Sequence, residues 1–177
     1  MQNPDFLIMK KICYILTGML AVMLSSCGYH LGGVKPANMQ NMNTFCVEMF
    51  ENNTVQPNVG VLMTTAMANA LQSDGTYRMA PRNEADFIVK GAVTHISRDS
   101  LIANTEDSYV STYIALNVHA KYEVVDRKTG ARLAGGSTSG RGSYFTQVGN
   151  TQSAIDTTLS YATRCLADDI TLSLTTK

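Results

Sequence analysis

The strict alternation from Tyr113 to Val124 constrains this chain more than any other stretch. Ile114, Leu116, Val118, Ala120, Tyr122 and Val124 leave the backbone on one side, and Tyr113, Ala115, Asn117, His119, Lys121 and Glu123 on the other. A period of two belongs to a strand, because successive side chains of an extended chain point to opposite faces. One face is therefore apolar and buried, and the other is wet or turned to a partner. Such a sheet must be covered on its apolar side, and the flanking segments supply the cover.

From Val59 the period changes. Val59, Leu62, Met63, Ala66, Met67, Ala70 and Leu71 recur at spacings of three and four, which predicts an amphipathic helix with Asn58 as N-cap and Gly75 as a left-handed stop. Its methionines and alanines read as core filling. A second long helix is expected over 153–174, where Ile155, Leu159, Ala162, Leu166 and Ile170 share one stripe and Ser153 with Asp156 forms a variant capping box. Other strands are expected at 44–50, where Phe45, Val47 and Met49 alternate with Cys46, Glu48 and Phe50, and at 87–96, where Phe87, Val89 and Val93 share a face with Gly91. A glycine there lets a helix approach the sheet closely. Residues 77–79 add a short strand before Pro81 interrupts. Asp126-Arg127-Lys128-Thr129-Gly130 is a hairpin loop with glycine supplying positive φ, and 131–145, carrying four glycines, reads as a twisted edge strand. The order β-α-β-β-β-α predicts an α+β two-layer sandwich, with two helices on one face of a four-stranded, mostly antiparallel sheet.

The first 27 residues carry a different message. Lys10 and Lys11 precede an apolar run over 12–24, within the length of a secretory signal and too short to span a bilayer. Met9-Lys10-Lys11 is the expected natural opening of that signal. It ends in Leu24-Ser25-Ser26-Cys27, which resembles the bacterial lipobox. The resemblance implies a diacylglycerol on the Cys27 thiol, cleavage before Cys27 and acylation of the freed amine. Burying acyl chains gains roughly 0.8 kcal/mol per methylene, so two or three chains hold a protein where one is marginal. Gly28 stands where an aspartate would resemble an inner-membrane retention mark, which makes the outer membrane the expected destination. The division is then a signal peptide at 1–26, a lipidated tether at 27–43 rich in asparagine, glutamine and glycine, and one domain at 44–177.

Lys and Arg balance Asp and Glu over the whole chain, and the part after the signal keeps 12 basic against 13 acidic residues, so no field draws nucleic acid. Cys46 and Cys165 would share an oxidising compartment, where a disulfide between them and two buried free thiols are both open readings. No catalytic constellation assembles. His30 lies beside the lipid anchor, His95 and His119 sit on separate strands without a cysteine or carboxylate at ligand spacing, and Gly135-Gly136 and Gly140-Arg141-Gly142 lack the residues of a phosphate loop. The chain is therefore expected not to be an enzyme, and to hold neither metal nor cofactor beyond its lipid.

Several short motifs now line up in order. Cys27-Gly28-Tyr29-His30-Leu31, Phe50-Glu51-Asn52 before a helix, Ala85-Asp86-Phe87 leading into Val89-Lys90-Gly91, and Val124-Val125-Asp126 before Thr129-Gly130 together resemble the LptE family of lipopolysaccharide-assembly lipoproteins. The resemblance implies a non-enzymatic outer-membrane subunit that plugs the barrel LptD, helps it fold and assists delivery of lipopolysaccharide. A plug needs a polar surface matching a polar lumen, which the serine, threonine, asparagine and glycine content here fits. Lipopolysaccharide carries phosphates, so contact residues should be cations; Arg98, Lys121, Arg132 and Arg141 are the candidates, with Arg127 and Lys128 beside them. The family likeness is weakest at 104–111 and 145–150, which carry no cation. The competing reading is another lipid-tethered module, activating a cell-wall synthase or serving a secretion pore; a periplasmic hydrolase is a third, disfavoured by the missing constellation.

Overall fold

The computed structural model describes residues 33–102, 112–146 and 151–176. Its strands are β1 (Thr44–Val47), β2 (Glu51–Asn52), β3 (Arg78–Met79), β4 (Phe87–Ile102), β5 (Thr112–Asp126) and β6 (Arg132–Thr146), and its helices α1 (Val59–Asp74) and α2 (Thr151–Thr175). The sheet order is β3-β1-β4-β5-β6, with the two-residue β2 also paired to β4. The α+β class and the two helices are as expected. The sheet is not: six strands replace four, and it is mixed, because β1 lies parallel to both β3 and β4 while β4, β5 and β6 run antiparallel. The α1 crossover is what makes β1 and β3 parallel neighbours, since a helix returns the chain to the end of the sheet where it began.

The alternation of β5 translates directly into burial. Leu116, Val118, Ala120 and Val124 are buried, facing Val59, Met63, Met67 and Leu71 of α1 and Leu159, Leu166 and Ile170 of α2 across one core. Gly75 ends α1 at φ 77° and Gly130 closes the β5–β6 turn at φ 71°, both as read from sequence. The edge position of β6 is also borne out.

Four local expectations are corrected. Asn58 does not cap α1 through its side chain; it takes left-handed backbone at φ 61°. Asparagine tolerates that region better than other non-glycine residues. Ser153 is not a cap either, because α2 begins at Thr151 and Gln152 donates to the Asp156 carboxylate within its first turns. Strand β1 stops at Val47: the Phe50 amide donates to Thr64 Oγ1, turning the Phe50 ring into the core and leaving Met49 69% exposed. Gly91 meets that Phe50 ring and no helix, since a Cβ there would sit 2.5 Å from Phe50 Cε1. The helix approaches elsewhere. A Cβ on Gly140 would collide with the Ala162 carbonyl of α2, and one on Gly142 with Thr158, so the edge-strand glycines seat α2 on β6.

The described part of the expected tether packs onto the domain. Met39, in a 3-10 turn at Ala37–Met39, is fully buried, and Val34 bridges in parallel to Thr176 beyond α2.

Candidate functional site

The long strands divide the molecule's surface into a helix-covered face and an open one. On β4 a bulge between Val93 and His95 changes which face each later residue takes. Before it, Phe87, Val89 and Val93 point to the helices; after it, Ile96 and Arg98 do, paired opposite Val118 and Leu116. Arg98 thus stands exposed at the rim of a cavity of about 540 Å³, floored by Ile96, Leu116 and Leu159 and walled by Asn53, Thr54 and Gln56.

The open face carries Lys90, His95 and Ser97 on β4, Asn117, His119, Lys121 and Glu123 on β5, and Ser137, Ser139 and Arg141 on β6, following the register pairs Lys90 with Glu123, His95 with His119 with Ser139, and Asn117 with Arg141. Its charges are partly matched, Lys90 Nζ lying 3.2 Å and Arg132 Nε 3.8 Å from the Glu123 carboxylate. Lys121 is exposed at mid-sheet. At the far end Arg141 borders a second cavity, of about 710 Å³, with Tyr113, Ser143, Thr157 and Tyr161. The Tyr113 and Phe145 rings pack there at 4.7 Å, and Phe145 is 61% exposed.

The six candidate cations therefore do not converge. Arg127 and Lys128 sit at the β5–β6 hairpin, where Arg127 Nε donates to the Ala85 carbonyl at 2.6 Å, and Arg132 follows at the start of β6. Arg98 and Arg141 lie at the other end on opposite faces of the sheet. Cys27 lies outside the described residues. Cys46 and Cys165 are half-buried and unpaired in the structure. Cys46 alternates with buried Phe45 and so faces away from the helices, whereas Cys165 belongs to α2, and the sheet stands between them. Burial, then the Glu48 carboxylate, push the Cys46 thiol up, with Arg82 opposing.

Two features escaped the sequence reading. His95 and His119 are cross-strand neighbours with ring centroids 6.0 Å apart, and Tyr113, Phe145 and Arg141 gather at one end. Counting register outward from the Asp126 hairpin would have paired Tyr113 with Tyr144, because a shift between Val124 and Val125 moves the pairing by one residue. Among the described residues no three histidine, cysteine, aspartate or glutamate side chains come together as a metal group. Perturbed carboxylates are structural instead. The Asp86 carboxylate accepts from the Asn43 amide at 2.9 Å and from the Thr44 amide and hydroxyl at 3.0 Å, which holds its pKa below the usual value despite partial burial. Asp126 is lowered in the same way by the Thr129 and Lys128 amides of the hairpin.

No protein-family model matches the chain, and no curated protein does. Solved structures do share its fold. A neuraminyllactose-binding hemagglutinin homolog from Helicobacter pylori aligns at TM-score 0.50 and 12% identity, over 81% of this chain and 89% of that one. The hypothetical protein CT253 from Chlamydia trachomatis aligns at TM-score 0.50 and 7% identity, over 75% and 98%. Lipoprotein GNA1162 from Neisseria meningitidis aligns at TM-score 0.45 and 17% identity, over 65% and 94%. The first two likenesses concern the fold alone. None of the three bears the LptE name, so that resemblance rests on the sequence motifs.

Proposed function

We infer that this protein is a lipoprotein, tethered through acylated Cys27 at the periplasmic side of the outer membrane, and that it works without catalysis as a partner of an outer-membrane barrel of the LptD kind in lipopolysaccharide delivery. The observation that carries this reading is the open face of β4, β5 and β6, polar across its middle from Lys90 and Glu123 to Asn117 and Arg141 and uncovered by either helix. A polar lumen can accept that middle stretch without stranding apolar surface. The lipobox resemblance supports the anchor; among the described residues no helix is long and apolar enough to cross a membrane. The ordered motifs shared with the LptE family support the choice of partner.

Palmitate labelling of the wild type and the Cys27→Ala variant tests the anchor; label that persists in the variant refutes it. A photoreactive residue at Asn117, in the middle of the open face, tests the partner. An adduct with a large outer-membrane barrel supports the reading, and an adduct with a cell-wall synthase or secretion pore replaces it with the competing one.

A further inference from the structure

Gly33, the first described residue, is pinned at one end of the molecule. Its amide donates to Thr76 Oγ1 at 2.6 Å, just past the Gly75 stop of α1. A Cβ on it would collide with the Thr175 carbonyl at the end of α2, and Val34 bridges to Thr176. The same end holds the start of β4, the end of β5 and the Asp126 hairpin, since Asp86 and Phe87 stand beside Arg127 and Asp126. Lys35 extends the docking, with Nζ donating to the Met42 carbonyl and to Asn43 Oδ1, both at 2.7 Å, and lying 5.5 Å from the centre of the Tyr77 ring.

Cys27 precedes Gly33 by six residues. Fully extended, that many residues reach at most about 20 Å. Along β4, by contrast, Arg98 lies eleven residues from Phe87, roughly 35 Å at strand rise, and Phe145 lies thirteen from Arg132 along β6, roughly 40 Å. The lipid's reach thus covers one end of the long sheet and falls short of the other.

We propose that the end built from Gly75, Thr175 and the Asp126 hairpin faces the phospholipid leaflet, and that the sheet beyond Val93 projects away from it, free to meet a protein partner. This orientation rests on the reading that Cys27 carries lipid. Exposed Lys128 at the hairpin tip then lies nearest the headgroups, with exposed Arg78 of β3 beside the Asn43 carbonyl that its amide contacts at 2.8 Å.

The chain contains no tryptophan, so one introduced tryptophan reports its own surroundings. The acylated protein, bound to vesicles of phosphatidylethanolamine and phosphatidylglycerol with a nitroxide on a fraction of headgroups, is compared in the Lys128→Trp and Phe145→Trp forms. Quenching several-fold stronger for Lys128→Trp is the expected result. Equal quenching, or stronger quenching of Phe145→Trp, overturns the orientation. A second pair, Arg78→Trp and Arg98→Trp, repeats the comparison at exposed positions should either first variant misfold. Vesicle flotation separates the two failures: protein that fails to float overturns the lipid reading and the orientation together, whereas protein that floats with reversed quenching overturns the orientation alone.

Discussion

The two ends of the sheet are built on different terms. Near Gly33, five strands and both helices enclose a core of Met39, Phe45, Tyr77 and Phe87, with Tyr77 edge-on to Phe87 at 5.0 Å and Phe45 stacked at 6.2 Å. Burial, with Asp74 nearby, pushes the Tyr77 phenol up to about 12. Beyond Val93, among the described residues, only β4, β5 and β6 continue, and α2 is the one helix over them, beside the turn at 53–56, because α1, sixteen residues long, reaches back no further than the Phe50 turn. Glycines and threonines replace large side chains at that contact, and a cavity opens beside Leu116 and Leu159. The large aromatic side chains of the core are concentrated at one end, while the cavities beside Leu116 and Tyr113 are at the other.

Core truncation tests this division most severely. Phe87→Ala should cost about 3–5 kcal/mol in urea unfolding, and Leu116→Ala only about 2–3 kcal/mol, since its neighbours already border open space. A Leu116→Ala loss equal to that of Phe87→Ala would break the contrast. Gly140→Ala comes next: the new methyl meets a helix carbonyl that cannot yield without moving α2, so a loss of about 1–3 kcal/mol is expected. Gly136→Ala on the same strand, where a Cβ finds only ordinary contact with the Tyr122 ring at 3.6 Å, should stay within about 0.5 kcal/mol.

Asp86→Ala should cost about 1–3 kcal/mol by stranding the Asn43 and Thr44 donors. The pH dependence has a definite sign. Because the folded carboxyl is shifted down, its contribution is complete above the unfolded value near 4 and is lost as pH falls through the folded one. The excess of the wild-type denaturation midpoint over that of the variant should therefore be smaller at pH 3 than at pH 7. The smallest effect on stability, within about 0.5 kcal/mol, is expected for the paired change Arg98→Glu and Arg141→Glu at the far end. That variant should nonetheless weaken lipopolysaccharide affinity and barrel assembly; if both are unchanged in binding and co-purification assays, neither arginine is a contact.

What was legible beforehand was whatever a short window of chain decides. The alternation of β5, the helical spacing of Val59 to Leu71, the positive φ of Gly75 and Gly130 and the edge character of β6 all follow from side-chain direction and backbone freedom over a few residues. The candidate cations were legible as residue types, and their scatter over both ends and both faces was not.

Other features depended on partners distant in the chain. Only the folded molecule decides that β1 slips between β3 and β4, that Phe50 fills the space over Gly91, and that Gly140 receives a helix. The bulge at Val93 to His95 likewise sends Arg98 to the helix side and sets His95 beside His119. The physical reason is that register and close packing are settled by which surfaces meet, and one inserted residue reverses the facing of every side chain beyond it.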